Sequence, residues 1–288
     1  MGIATSRTLF HRSSDGKPIP TLEATNEELL TLAKTLKRKG KGVFQIVEDI
    51  HLPGKDVSVL RQLAEAAGRP LTFSIGTGNT GPHIWPQLLK DLESANAAGI
   101  TIKGQVMPRA IGMMLGVELT LNPFYTTVGY REVADLPLAE RLQALRDPER
   151  RARIIAEPMD PDPALVLGRM VRDFDHIFLL GDPPNYEQPW ELSIAGRAKA
   201  QGVSPEELAY DLMVQGERGM VLYLAMANYA DGSLDAVGEI LRHPDVLPGL
   251  GDGGAHAATI CDGSYSTFAL SYWGRDRDHG RMALPDLV

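Results

Sequence analysis

Apolar runs alternating with helix-patterned stretches constrain this chain more than any other feature of it. Residues 26–40, "NEELLTLAKTLKRKG", put Leu29, Leu30, Ala33 and Leu36 on one helical face, with Asn26 as cap and Gly40 as stop. The next stretch, "GVFQIVED" (42–49), reads as a short buried strand ending in two acids. It is followed by a helix over 56–68 capped by Asp56, a strand over 70–77, a helix over 83–99 and a strand over 100–109. Strand–helix units in succession with short connections predict parallel pairing, hence an α/β fold.

The rhythm breaks at residues 110–200, which hold many prolines and aromatics, one apolar segment "HIFLLGD" (176–182) and "LRDPERRARI". A stretch of that length without clean alternation predicts an insertion on the side where substrate is covered. Alternation then returns: a helix over 204–216 with a Ser204-x-x-Glu207 capping box, a strand over 219–226, a helix over 233–244 and a strand over 246–252. About five strands with helices between them fit a doubly wound sheet or part of a (β/α)8 barrel. In both, chemistry gathers at the C-terminal strand ends, which here carry Glu48, Asp49, Asp182 and Asp252.

Charge narrows the partners. With 29 basic and 37 acidic residues and a formal net charge of -8, the chain is a poor match for nucleic acid, whose binding rests on neutralised phosphates. The one basic run, "KRKGKG" (37–42), reads as a solvated helix end and turn. No apolar run reaches the roughly 18–20 residues of a membrane span. The start "MGIATS" fits a myristoylation pattern only formally. The single cysteine, Cys261, allows no internal disulfide and suits a reducing, cytoplasmic setting.

The segment "VLPGLGDGGAHAATICDG" (246–263) concentrates the candidate chemistry. Gly249, Gly251 and Gly254 spell G-x-G-x-x-G, but Asp252 inside the loop would repel a pyrophosphate, and the motif comes at the end of the alternation instead of opening it. A carboxylate there can instead bind a divalent metal or accept a proton from an attacking water. Gly253 and Gly254 give the backbone room for close substrate approach, and His256 is placed to hydrogen-bond the carboxylate or the substrate. Local sequence leaves both a site and a capped turn open.

The longer stretch "LGDGGAHAATICDGSYSTFALSYWGRDR" (250–277) resembles the strand-8 region of the N-acyl-D-amino-acid deacylases, or D-aminoacylases, of the amidohydrolase superfamily. "ATSRTLFHRSSDGKPIPTLEATNEELLTLAKTL" (4–36), "IKGQVMPR" and "LRDPERRARI" are similar to segments of that family. The resemblance implies a partial (β/α)8 TIM-type barrel over residues 1–288 with an insertion at 110–200, and metal-assisted hydrolysis of an amide C–N bond. It casts Asp252 as proton acceptor and metal ligand, with Gly253, Gly254 and His256 around it. Glu48, or Asp49 beside it, becomes a further candidate metal ligand. Arg109, which ends its strand, and His83, in "NTGPHIWP", become candidate substrate-binding residues, Arg109 toward the carboxylate of an N-acyl amino acid. Tyr265, Trp273, Arg275 and Arg277 are expected to pack or to face solvent.

Departures from the family accompany the likeness. None of the seven histidines (11, 51, 83, 176, 243, 256, 279) forms the strand-1 H-x-H motif. Ile75 and Gly76 stand where metal-rich members carry a strand-5 histidine, and strand 6 offers Gln105. The chain therefore reads as a fragment lacking both ends, with at most one divalent metal (zinc where one is bound), and this length of chain is expected to be inactive by itself. The partner is a small N-acyl amino acid or related amide, with oligomer formation left open. A catalytically inactive barrel remnant or binding scaffold is the alternative, and a nicotinamide-dependent oxidoreductase a third.

Overall fold

A computed structural model describes residues 2–13, 17–50, 58–78, 84–160, 166–251 and 263–288, excepting the side chains of residues 166 and 167. Among the described residues eight strands run in chain order: β1 (Ile3–Arg7), β2 (Phe44–Glu48), β3 (Leu71–Ser74), β4 (Ile102–Val106), β5 (Ile111–Leu115), β6 (Ile177–Leu179), β7 (Leu222–Ala227) and β8 (Val246–Pro248). They form a five-stranded sheet of order β1-β2-β3-β4-β8 and a three-stranded sheet of order β5-β7-β6. The chain divides into two compact units: residues 1–108, 235–250 and 265–288, and residues 109–234 and 251–264.

The first unit is α/β, as the alternation requires. All four ladders of its sheet are parallel. Helices α1 (Asn26–Lys39), α2 (Ser58–Ala67) and α3 (Trp85–Ala97) link its first four strands. Gly40 ends α1 in the left-handed region at φ 64°, a conformation glycine adopts without strain. The cap of α1 is Thr25 and not Asn26: Thr25 is extended and its side chain accepts from Glu28 N, which makes Asn26 the first helical residue. The expected cap Asp56 lies outside the described residues.

Register puts Phe44, Ile46, Leu71, Phe73, Ile102 and Gly104 on one face of the sheet, and their burial alternates with that of their neighbours. The opposite face carries Gln45, Val47, Thr72, Ser74, Lys103 and Gln105, all half-buried. A parallel sheet covered by apolar layers on both sides reads as continuous Val/Ile/Leu runs; these strands alternate, so one face is dry and the other polar.

Among the described residues this sheet is open and does not close into a barrel. The strand expected over 246–252 stops at Pro248 because Leu250 turns into the left-handed region at φ 64°.

The second unit corrects the sequence reading twice. The strand over 219–226 is β7, but it pairs antiparallel with β5 and β6 and does not extend the parallel sheet. An apolar run carries no information about strand direction, and β5 showed no strand signature of its own. Gly112 in β5 lets the strands meet: a Cβ there would lie 2.2 Å from the Leu224 carbonyl oxygen. The segment 176–182 contributes only Ile177–Leu179, and Asp182 is exposed in the turn that follows this antiparallel strand. Phe124, Leu145, Ile177, Tyr210, Met213 and Leu222 form part of this unit's core.

The capping box at Ser204 is present in both directions, side chain to backbone each way. Ser204→Ala is expected to lower stability by about 1 kcal/mol, read as the shift in urea midpoint.

Candidate active site

The C-terminal edge of the parallel sheet is where this architecture assembles chemistry. β1 ends in Arg7 and β2 in Glu48, which are paired in register. Both are buried, and Arg7 Nε donates to Glu48 Oε2 at 2.5 Å. Arg7 Nη1 also donates to the Ala24 carbonyl at 3.0 Å and to Asn26 Oδ1 at 2.8 Å. Asp49, also buried, accepts from Leu9 N at 2.9 Å through Oδ2. Farther along the edge, β3 leads into Ile75, fully buried, whose amide donates to the Gln105 carbonyl at 2.8 Å. Ser6 and Ser74 carry buried hydroxyls with no hydrogen-bond partner in the structure, which water can satisfy. Gly249 N donates to Val106 O at 2.9 Å and keeps β8 alongside β4 to the end of the ladder.

Arg109 belongs to the second unit and is 2% exposed. Its guanidinium lies over the Tyr186 ring at 4.1 Å, and Nη1 reaches Ser264 Oγ at 3.4 Å. The Arg109 carbonyl accepts from Asn228 Nδ2 at 3.4 Å; Asn228 is itself buried with φ 64°. A guanidinium this close to a tyrosine face is attracted by the ring.

Of the remaining sequence-predicted site residues, Asp252, Gly253, Gly254, His256 and His83 lie outside the described residues. Trp273 is fully buried and donates from Nε1 to the Pro108 carbonyl at 2.6 Å. Arg275 is exposed and paired with Asp276. Arg277 lies over the Trp273 ring at 4.6 Å and donates to Asp235 Oδ1 at 2.7 Å. Tyr265 is half-buried at the start of a short helix.

The Arg277 hydrogen bond, with His279 adding to it, holds the Asp235 carboxyl below the usual carboxylate range. A depressed folded-state pKa gives stability that is present above the unfolded value and lost as pH falls through the folded one. Stability is therefore expected to decline below about pH 4, with Asp235→Asn flattening that acid limb in urea midpoints measured between pH 2 and 6.

Sequence reasoning missed Arg7, Tyr186 and Asn228, and read Asn26 only as a helix cap. "IATSR" has no apolar periodicity, so nothing marked Arg7 as a strand end opposite Glu48. Asn228 offered one hint, since asparagine follows an apolar run there and tolerates a positive φ.

Among the described residues the acids at the strand edge do not form a divalent-metal site by themselves. Among the described residues no group of three or more His, Cys, Asp or Glu side chains converges. Glu48 is engaged by Arg7 and Asp49 by a backbone amide.

No protein-family model matches the chain, and no curated protein sequence does. Solved structures give a loose likeness. One is a D-aminoacylase described for its binuclear metal centre: 14% identity, TM-score 0.37, covering 86% of this chain and 38% of that one. A D-aminoacylase described as defining a novel subset of amidohydrolases stands at 16% identity and TM-score 0.36, with the same coverage. The N-acyl-D-glutamate deacylase from Bordetella bronchiseptica, complexed with zinc and a phosphonate inhibitor, stands at 14% and 0.35, covering 80% of this chain and 36% of that one. The chain thus spans under two fifths of the length of these proteins. A likeness this loose assigns neither activity nor residues.

Among the described residues no helix is long and apolar enough to cross a membrane.

Proposed function

We propose that this chain belongs to a hydrolase of amide C–N bonds, of the N-acyl-D-amino-acid deacylase type, built on part of a (β/α)8 barrel with residues 110–200 as an insertion. The observation that carries the proposal is the parallel sheet whose last strand, β8, leads in sequence into the Asp252 segment. The resemblance of 250–277 to the deacylases supports the same reading.

In this mechanism Asp252 takes a proton from water, and the water oxygen attacks the amide carbonyl carbon. The C–N bond then breaks, and the proton passes from Asp252 to the leaving nitrogen. Gly253 and Gly254 let the backbone approach the substrate, His256 orients the carboxylate, and His83 contacts substrate. Arg109, whose guanidinium lies over the Tyr186 ring, pairs with the carboxylate of an N-acyl amino acid. A zinc ion, if the protein carries one, would draw its ligands from residues beyond the described strand edge, Asp252 among them. The proposed setting is the cytoplasm.

The test pairs equilibrium binding with amine release, using N-acetyl-D-amino acids and the 288-residue chain. Saturable binding is expected, weakened at least about tenfold when the ligand carboxylate is amidated and in Arg109→Lys. Any amine release is expected to fall by at least about 100-fold in Asp252→Asn. Absence of binding to every N-acyl amino acid tried would overturn the proposal. It would leave a non-catalytic scaffold, the reading favoured by a strand edge whose described acids are already engaged by protein groups.

A further inference from the structure

We infer that Glu48 is a positioning residue locked by Arg7, and that the acid at the end of β2 takes no part in binding metal. The inference goes beyond the proposed reaction and holds whether or not Asp252 accepts a proton.

Register places Arg7 and Glu48 on the same sheet face as Phe44, Ile46 and Phe73, which is the dry face. Their side chains are 8% and 2% exposed, and the Nε–Oε2 distance is 2.5 Å. A carboxylate there needs a cation beside it, because the medium is too apolar to carry an isolated charge. Arg7 is that cation. Its Nη1 is fixed in turn by the Ala24 carbonyl and Asn26 Oδ1. One guanidinium thus ties the ends of β1 and β2 to the start of α1. A divalent ion at Glu48 would sit within a few ångströms of this guanidinium. To be accepted it would have to expel a side chain holding three hydrogen bonds, or endure the repulsion of like charges at low dielectric.

Neighbouring groups serve the same end. Asp49 Oδ2 holds Leu9 N, which fixes the turn leaving β1. Pair and turn together set where the chain leaves two adjacent strands. The role assigned to Glu48 is structural support of that edge, with no contact to substrate.

Zinc binding by the full 288-residue chain, followed by competition with a chromogenic chelator and by elemental analysis, tests the assignment. Glu48→Gln keeps the shape and one acceptor, so it avoids a wholesale loss of fold. Its zinc stoichiometry is expected to match wild type, with Kd unchanged within about twofold. Melting temperature supplies the second readout. Arg7→Met and Glu48→Gln should each lower Tm by at least about 5 °C, and the double variant should lose clearly less than the sum. Loss of one equivalent of zinc in Glu48→Gln, or a tenfold weaker Kd, overturns the inference, as do additive or negligible Tm shifts. A wild-type chain that binds no zinc agrees with it, and the Tm coupling then decides. Deacylase activity and its response to Asp252→Asn move none of these readouts, so either proposal can fail alone.

Discussion

Trp273→Ala is expected to destabilise the first unit by about 3–5 kcal/mol, the usual range for emptying a large aromatic site. Trp273 has no exposed surface. Arg277 covers one face of the ring, and a Cβ on Gly238 would lie 2.8 Å from its Cζ3. The indole N–H is the donor to the Pro108 carbonyl at 2.6 Å, so the truncation also leaves that carbonyl without its partner. Trp273→Phe keeps most of the volume and removes only the donor, and about 1–2 kcal/mol is expected from it. Urea melts followed by circular dichroism measure both variants without relying on the fluorescence of the missing indole. A midpoint for Trp273→Ala within about 1 kcal/mol of wild type would show that the π-helix Ala269–Asp276 is not anchored through this side chain.

Phe124→Ala is the counterpart in the second unit, again at about 3–5 kcal/mol. Phe124 is fully buried and meets Tyr210 edge-on, with ring centroids 5.2 Å apart. Arg172 lies over the same ring at 5.2 Å, and burial lowers the pKa of its guanidinium. Removing the ring admits water to that charge, so part of the lost packing is offset by restored solvation. Tyr210 is held independently by its hydroxyl, which donates to the Leu145 carbonyl at 2.8 Å. Tyr210→Phe should therefore cost only about 1 kcal/mol. Equal losses from Phe124→Ala and Tyr210→Phe would contradict this ranking.

The parallel sheet was legible because β2, β3 and β4 are flanked by helices whose apolar faces and stops obey simple rules. Gly40 after α1 and the Ser204–Glu207 box are local chemistry, and local chemistry survives folding. β1 and β5 were not legible. "IATSR" is held in the sheet by pairing with β2, and "IGMML" by Gly112 lying against β7, and both depend on partners remote in sequence. The direction of β7 was lost for the same reason. At the candidate site, residue types were readable and states were not. Glu48 was picked out as an acid at a strand end, but its engagement depends on a register match with Arg7 that no spacing rule reveals. Arg109 was picked out for its position at a strand end, whereas Tyr186, whose ring its guanidinium covers, lies in a proline-rich segment with no periodic pattern.

β8 reaches its neighbour late. Lys103 on β4 pairs with Asp245 at 2.6 Å across 142 positions. A chain emerging from the ribosome at typical rates waits on the order of ten seconds between those two residues. Throughout that interval the outer rim of β4 offers bare amide and carbonyl groups to any passing strand. Lys103 is then an unneutralised ammonium on that rim, the kind of charge that discourages adventitious pairing. The side chain that later locks β8 in place thus begins as a guard on nascent β4, and removing it should show first as lower soluble yield and only afterwards as lower stability.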